Sequence, residues 1–354
     1  MSATYSKIES NEYTNSLLSK LKWSRFVYRY YRFSELRDNY IGECNLFQKI
    51  YYIVDYCISL IIQGASIKDY FAYTFYERRF AGRNRYITYR RFIRILKTCN
   101  KKESITFLRD KSLFNQRYAK YLHRENYDLN NISEKDFVDF TTKNEDFFVK
   151  DVLGYQGNSV WFFHTKDTNI SELFHKLKDD KESHFIVEAK LRQHKDLAAF
   201  HPNSVNTIRI VTVYDDKQDK LHFMFAKLRM GNNGARLDNT HAGGISGNID
   251  IETGIINTPG YDVTTNQEYI FHPYTGKQII GFQIPNWQEC KAFIEEVARV
   301  KPEVRYVGWD VVILQDGDFA LIEANDNADH DGQEIHYKGL WKEYREILKQ
   351  LERF

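Results

Sequence analysis

The sequence predicts an α+β protein in which a helical N-terminal region precedes antiparallel sheets. Three observations lead to this fold class. Apolar residues recur at helical spacing through about the first hundred residues, the later part consists of short β-rich runs between turn residues, and only a few helical segments separate those runs. This order is typical of α+β enzymes, in which helices and antiparallel sheets occupy different parts of the chain.

The helical spacing is clearest in one stripe, formed by Phe47, Tyr51, Val54, Ile58 and Ile61. Gly64 is expected to end this helix, and a second helical stretch is predicted over 67–80. A third set at similar spacing consists of Tyr86, Tyr89, Phe92 and Ile95. We interpret these aromatic and aliphatic residues as a packed core.

The strand-forming runs begin after about residue 145 and are bounded by Gly, Asn, Asp or Pro. They cover 147–150, 160–163, 185–188, 207–214, 221–230, 244–251, 306–314 and 319–324. Helices are predicted between them, near 169–180 and 287–299. We expect a domain organisation of 1–104 as the helical region, 105–190 as a small lobe and 191–354 as a large lobe.

Composition favours a globular protein of a reducing compartment. The chain is 42% hydrophobic and 28% charged, and its four cysteines lie far apart without metal-site spacing. The first residues lack the apolar core of a signal peptide, and the longest apolar run, 50–62, is interrupted by Asp55. We therefore expect no membrane-spanning segment. The predicted location is the cytoplasm, and the inner face of the membrane is the alternative.

Basic residues are concentrated between Arg78 and Lys102. This segment holds ten Lys or Arg and no Asp or Glu, although the whole chain has a net charge of only +2. Such a segment is expected to face an anionic partner, which could be a glycan, a nucleotide sugar, a membrane surface or a nucleic acid, the last being the least favoured. A solvated helix face is the simplest alternative.

Two apolar strands joined by Asp316-Gly317 form the strongest local pattern, and Asp-Gly favours a tight hairpin turn. A two-residue or four-residue loop places Asp310 directly opposite Glu323, whereas a three-residue loop would break that register. Strand alternation then puts both carboxylates on one face, together with Val312, Leu314, Phe319, Leu321 and Asn325.

Two opposed carboxylates repel each other unless a cation lies between them. Oxygen ligands from Asp310, Glu323 and Asn325 favour Mg²⁺ or Mn²⁺ over zinc, and one or two ions would fit such a set. The alternative is that Asp310 or Glu323 pairs with a basic residue such as Arg305.

A nucleotide site is suggested by Lys150, which ends a short strand before a loop containing Gly154 and Gly157. A solvated lysine beside an ordinary turn explains the same letters. Asp110-Lys111 is a weaker phosphate-binding candidate. The apolar strand ending at Glu188 could hold adenine along its edge.

Four strings carry a family resemblance: FIVEAKLRQH, HPNSVNTIRIVT, DNTHAGGISGNIDIETG and VGWDVVILQDGDFALIEANDN. Together they resemble ATP-grasp proteins, in which two α+β lobes with antiparallel sheets grip ATP, and within these the sugar-transfer-associated branch found with bacterial capsule and exopolysaccharide genes. The resemblance covers about 110–337. It implies ATP and Mg²⁺ as cofactors and a small-molecule or glycan acceptor.

The resemblance also implies residue roles. Phosphates would be bound by Lys111 and Lys150 under the loop of Gly154 and Gly157, and adenine by Glu188, Ala189 and Leu191. The metal would be held by Asp310, Glu323 and Asn325, and the transferred phosphoryl group by Arg209 and Arg229. The acceptor site would include Asn239, Gly243 and Gly244.

Two departures from the family pattern bear on the reaction. Many ATP-grasp ligases carry an Arg two residues before the first metal-binding Asp, where this chain has Gly308, and the segment after Asn325 lacks an Arg-Pro-Gly continuation. The resemblance implies a carboxylate–amine ligase that forms an acyl phosphate and releases ADP. The alternative is a kinase for a sugar or polyol hydroxyl, with His201, Asp238 or His330 as the base. A third alternative is an anionic-polymer binding protein that uses 78–102.

Overall fold

The computed structural model describes residues 24–154, 159–232, 244–262, 264–265, 267–328, 330, 333 and 338–352. The chain divides into two compact units. The first comprises 1–93 with 338–341, and the second comprises 94–337 with 342–354. The described part of the chain contains no helix with both the length and the apolar character needed to cross a membrane.

The first unit is built from short helices that surround an aromatic core. Its helices are α1 (Ser24–Tyr40), α2 (Leu46–Ile62), α3 (Ile67–Ala72), α4 (Phe80–Arg83) and the first part of α5 (Tyr89–Cys99). Hydrogen bonds from side chains fix their starts, since Asn45 and Gln48 form a reciprocal cap on α2, as Ser66 and Asp69 do on α3. The core includes Phe33, Tyr70, Phe71, Tyr73, Phe75 and Tyr86.

The predicted helix over the 47–61 stripe is confirmed, and α2 ends before Gly64, which has a φ of +70°. The interpretation of that stripe as packed core is wrong. Its five residues are all exposed, Phe47 at 85% and Ile61 at 71%. Of the third set, Phe92 and Ile95 are buried as expected, whereas Tyr89 is exposed. The stretch 67–80 is broken into α3 and a single 3-10 turn over Phe75–Glu77.

The second unit contains the sheets and the remaining helices. Its helices are α6 (Lys102–Ile105), α7 (Lys111–Arg117), α8 (Ala119–Leu122), α9 (Glu134–Lys143), α10 (Ile170–Asp179), α11 (Lys195–Ala198), α12 (Trp287–Arg299) and most of α13 (Trp341–Glu352). Single 3-10 turns occupy Thr106–Arg109, Leu129–Asn131 and Thr165–Asp167. The helices predicted near 169–180 and 287–299 are therefore present as α10 and α12.

Eleven strands within the described ranges form two antiparallel sheets. The strands are β1 (Asn126–Asp128), β2 (Asp146–Asp151), β3 (Val160–His164), β4 (Phe185–Ala189), β5 (Thr207–Asp215), β6 (Lys220–Met230), β7 (Ile245–Ile249), β8 (Gly260–Asp262), β9 (Gln267–Tyr269), β10 (Tyr306–Ile313) and β11 (Phe319–Asn325). The small sheet has the order β1-β4-β2-β3, and the large sheet has the order β11-β10-β5-β6-β7-β8-β9. The predicted α+β class is confirmed.

Each sheet is covered on one face by apolar packing. Phe137 and Phe140 of α9 and Phe174 of α10 pack on Phe147 and Val187 of the small sheet. Helix α12 packs its buried face on the large sheet, where Trp309, Val311 and Leu321 belong to the same core. Polar side chains project from the opposite face of the large sheet, and the candidate site lies on that face.

The hairpin between β10 and β11 differs from the predicted one. Its loop has three residues, 315–317, because the Leu314 amide donates to the Asp318 carbonyl and Gly317 takes a φ of +92°. A β-bulge beyond Val311 restores the register, so that Asp310 still lies opposite Glu323. The bulge also moves Phe319 and Leu321 to the opposite face, in the α12-side core, instead of the face of Asp310.

Candidate functional site

A row of directly paired polar residues crosses five strands of the large sheet. From β11 to β7 the residues are Glu323, Asp310, Arg209, Lys227 and Asn248, each opposite the next. Paired residues project from the same face of a sheet. Asp310, Lys227 and Asn248 are almost fully buried. The sheet therefore builds a charged strip on the face that α12 does not cover.

Asp310 is the most strongly bound member of this strip. Arg209 donates from Nε to Oδ1 and from Nη2 to Oδ2, the latter at 2.8 Å, and Arg229 Nη1 donates to Oδ2 at 2.9 Å. Burial alone would raise the pKa of Asp310, but the charges of Arg209 and Arg229 outweigh burial and hold this pKa well below its ordinary value. Asp310 is therefore a carboxylate with two arginine partners.

Glu323 is in the opposite electrostatic situation. Burial raises its pKa first, and the negative charge of Asp310 raises it further. Arg209 Nη2 lies 3.9 Å from Glu323 Oε1, too far for a hydrogen bond, while the Asn325 amide donates to Oε1 at 3.1 Å. The predicted repulsion between the opposed carboxylates therefore raises the pKa of Glu323 and not that of Asp310. Asp310 thus pairs with basic residues, as the alternative to a metal site proposed, but its partners are Arg209 and Arg229, whereas Arg305 pairs with Asp216 at 2.7 Å.

Gly308 explains how Arg209 reaches Asp310. Gly308 lies two residues before Asp310 on β10, and a Cβ at this position would come within 2.4 Å of Ala328 Cβ and 3.1 Å of Arg209 Cδ. The space beside Gly308 is thus taken by the Arg209 side chain, which comes from the neighbouring strand β5. Position 308 itself carries no cation, and the guanidinium group beside it is that of Arg209.

The small sheet contributes two lysines. Lys150 Nζ lies 2.6 Å from Glu188 Oε2, and Lys111 Nζ donates to the carbonyls of Asp151 at 2.8 Å and Gly154 at 2.5 Å. Burial lowers the pKa of Lys111, whereas the charge of Glu323 opposes that shift. The ammonium group of Lys111 is thus within electrostatic reach of the carboxylates on the large sheet.

Comparison with protein-family models gives one match, to sugar-transfer associated ATP-grasp, over residues 90–349. This match spans most of the chain. The chain belongs to the sugar-transfer associated ATP-grasp family. The predicted resemblance is confirmed, and with it the ATP-grasp fold behind a helical N-terminal region. Comparison with curated proteins gives no significant match.

Solved structures of other ATP-grasp proteins are similar at low identity. The ATP-grasp ligase PsnB, complexed with a phosphomimetic variant of minimal precursor, Mg and ADP, is 14% identical over 72% of this chain and 62% of that chain, with a TM-score of 0.44. N5-carboxyaminoimidazole synthase from Aspergillus clavatus, with ADP and 5-aminoimidazole ribonucleotide, is 9% identical over 64% and 46%, with a TM-score of 0.41. The chain spans less than two thirds of the length of these proteins.

The ATP-grasp chain brings most of its predicted site residues into one region. Arg209 and Arg229 both bond to Asp310, and Asn325 bonds to Glu323, which lies opposite Asp310. Lys111 bonds to the Gly154 carbonyl, and Lys150 pairs with Glu188. Gly244 is buried immediately before β7. Gly157, Asn239, Gly243 and the candidate base Asp238 lie outside the described residues. Of the other candidate bases, His201 is fully buried and burial lowers its pKa, while His330 is 9% exposed.

Glu188 has a different environment from that of an adenine-binding edge. Its carboxylate accepts from Arg124 at 2.9 Å and Asn115 at 2.9 Å in addition to Lys150. Burial would raise the pKa of Glu188, but the charges of Arg124 and Lys150 lower it below its usual range. The Ala189 amide donates to the Glu125 carbonyl. Beyond them, Leu191 packs with Val312 and Ala320 in a small apolar cluster on the site face.

Two site residues were not found from the sequence. Arg124 Nη1 donates to the Leu321 carbonyl at 2.6 Å, and Nη2 lies 3.3 Å from the Ile322 carbonyl, so one side chain connects Glu188 of the small sheet to the bulge before Glu323. No local pattern marks it, because its partners lie 64 to 198 residues away. Lys227 could have been found, since it alternates with Arg229 on β6 and so shares its face.

Proposed function

We propose that this chain is a Mg-ATP-dependent carboxylate–amine ligase that acts through an acyl phosphate. Its substrate would be a sugar acid or an amino-acid component used in bacterial cell-surface polysaccharide biosynthesis. Family membership supports the use of ATP, because ATP-grasp proteins as a class are ATP-dependent ligases. The observation that supports the choice of ligase is the arginine pair on Asp310, because two cations at this point of the sheet would stabilise the negative charge of a phosphorylated carboxylate.

The donor chemistry of the large sheet fits a magnesium ion. Arg209 Nη2 lies 3.9 Å from Glu323 and makes no hydrogen bond to it, and Asn325 places an amide beside this carboxyl. Asp310 is a ligand of the right kind whose oxygens also accept from arginine. A magnesium ion with ATP would supply charge neutralisation on the phosphates. Within the described residues, no group of three or more His, Cys, Asp or Glu is arranged to hold a metal ion.

The remaining residues of the proposed site bind and orient the nucleotide. We assign phosphate contacts to Lys150 and Lys111, and we assign to Glu188 the task of holding the Lys150 side chain in place. Adenine would lie against the chain at 189–191, which is backed by the buried apolar cluster of Leu191, Val312 and Ala320. Glu188 and Ala189 would then support the adenine site, and the backbone beyond them would contact the base.

The kinase alternative loses its main sequence argument. That argument rested on the absence of an arginine at Gly308, and Arg209 occupies the adjoining space. In addition, the kinase needs an accessible base, whereas His201 is fully buried. Of the residues that were candidates for this role, only His330 retains some exposure within the described part of the chain.

Incubation of the protein with Mg-ATP, hydroxylamine and a panel of sugar acids, amino acids and neutral sugars tests the ligase proposal. Hydroxylamine intercepts acyl phosphates, so a carboxylate substrate is expected to give a hydroxamate together with stoichiometric ADP. Arg209→Gln and Arg229→Gln are expected to abolish hydroxamate formation. Release of ADP that depends on a neutral sugar, without any hydroxamate, would contradict the proposal.

A further inference from the structure

Helix α2 carries apolar residues on both its inward and its outward side. On the inward side, Tyr52, Ile53 and Tyr56 pack against the aromatic core of the first unit. On the same side, Arg83 contacts both carboxylate oxygens of Asp55 at 2.8 Å and donates to Ser59 Oγ at 2.8 Å, while the Tyr70 hydroxyl donates to Asp55 at 2.7 Å. The inward side is therefore held by apolar packing together with charge pairing and hydrogen bonds. A surface helix of this kind ordinarily has a polar outward side.

The outward side is a continuous apolar stripe. It consists of Leu46, Phe47, Ile50, Tyr51, Val54, Ile58, Ile61 and Ile62, all of them exposed. Spacings of three and four residues place the members from Phe47 to Ile62 along one side of a helix about 25 Å long. No described residue of the chain covers this stripe, and an apolar patch of this kind marks a surface that meets something apolar.

The surroundings of the stripe are basic. Residues 24–93 carry twelve Lys or Arg against six Asp or Glu, although the whole chain is nearly neutral. At the C-terminal end of α2, Arg90 donates to the carbonyls of Leu60 at 2.8 Å and Ile61 at 3.2 Å, which places a guanidinium group beside Ile61 and Ile62. An apolar helix face with basic neighbours matches helices that lie in the interface of an anionic bilayer.

We propose that the outward face of α2 anchors this protein on an anionic lipid surface. A second copy of the chain is a poorer occupant, since it would bring two regions of net charge +6 together. The helix is too short to span a bilayer and would lie in the interface plane. Half of the basic residues in 78–102 bond to other parts of the chain, as Arg83 does to Asp55 and Arg94 to Glu352. We therefore attribute the attraction to lipid to the net positive charge of the whole first unit.

Co-sedimentation of the full chain with lipid vesicles tests this proposal. The wild-type protein is expected to sediment with phosphatidylglycerol-containing vesicles, more weakly with phosphatidylcholine alone, and less as salt is raised. The double variant Phe47→Glu/Ile61→Glu should lose at least about tenfold in vesicle affinity, because two charges enter the apolar stripe. Its melting temperature should be unchanged, since both side chains are exposed.

The matched control is Ile270→Glu/Phe271→Glu, which alters two exposed apolar residues of the second unit and should leave vesicle binding unchanged. Three results would overturn the proposal. These are a wild-type chain that stays in solution with anionic vesicles, equal loss in both double variants, and a wild-type dimer that Phe47→Glu/Ile61→Glu converts to a monomer. The last result would assign the stripe to a second copy.

Discussion

At the scale of single residues, the two opposed carboxylates of the candidate site behave differently. Asp310 accepts hydrogen bonds from two mostly buried arginines, whereas Arg209 Nη2 lies 3.9 Å from Glu323 and makes no hydrogen bond to it. If the two carboxylates only repelled each other, removing either charge would leave the fold intact or firmer. The structure limits this expectation to Glu323, because neutralising Asp310 leaves Arg209 and Arg229 without a counter-charge.

Asp310→Asn is therefore expected to lower the free energy of unfolding by about 3 kcal/mol and to abolish ATP turnover. Glu323→Gln is expected to abolish turnover while raising the melting temperature of the metal-free protein at neutral pH. Because the pKa of Glu323 is raised in the folded state, the wild-type protein loses stability as the pH rises through that pKa. The Gln variant avoids this loss, and its advantage should vanish below pH 4.5, the ordinary pKa of a glutamate. Melting curves from pH 4 to 8, a range about the ordinary carboxyl pKa, measure both effects. Equal destabilisation by the two variants would contradict this assignment.

The space beside Gly308 gives a second residue-scale prediction. Gly308→Ala should displace Arg209 from Asp310, because the added methyl group would meet Ala328 and the Arg209 side chain. We expect a loss of at least about tenfold in kcat, as for the loss of one charge-assisted contact. Gly82→Ala is the control, since its Cβ would meet only Arg78 Cβ at 3.8 Å. Near-normal turnover in Gly308→Ala would show that Arg209 does not depend on this space.

Lys150 provides a third prediction at this scale. Lys150→Ala should weaken ATP binding by at least about tenfold, because a charge-assisted phosphate contact contributes about 1.5–3 kcal/mol. Lys143 and Lys166 are exposed lysines nearby and serve as controls, with little change expected. Titration of each variant with Mg-ATP makes the comparison. Similar losses in all three variants would indicate general electrostatics instead of a positioned ligand.

At the scale of secondary structure, Arg124 connects the two sheets. It holds Glu188 on β4 and the carbonyls of the bulge on β11. Arg124→Gln should free the bulge, so that amide hydrogen exchange in β11 speeds up and ATP turnover falls by about tenfold or more. Arg117→Gln is the control, because Arg117 is exposed and its guanidinium lies over the Phe107 ring. Unchanged exchange in β11 of the Arg124 variant would remove the proposed link.

Most of the secondary structure could be predicted because its signals are local. The strand runs and the two later helices follow from alternation and helical spacing, and the Asp-Gly turn located the hairpin. The bulge beyond Val311 could not be predicted, since nothing in the sequence fixes where an extra residue is absorbed. Arg209 beside Gly308 and Arg124 beside Glu188 depend on strand order, which distant parts of the chain determine together. Periodicity found α2 but could not show which of its sides would be buried.

At the scale of the whole molecule, we propose acyl phosphate chemistry, which family membership and the arginine pair support. The central claim is that the γ-phosphate passes through a carboxylate and ends as free phosphate when an amine displaces it. γ-labelled ATP, incubated with the enzyme, Mg²⁺, a carboxylate substrate and an amine, follows that phosphate directly. The account predicts label in inorganic phosphate, in equal amount to ADP, with Asp310→Asn giving neither product. Label retained on a stable phosphorylated sugar, without free phosphate, would contradict the account.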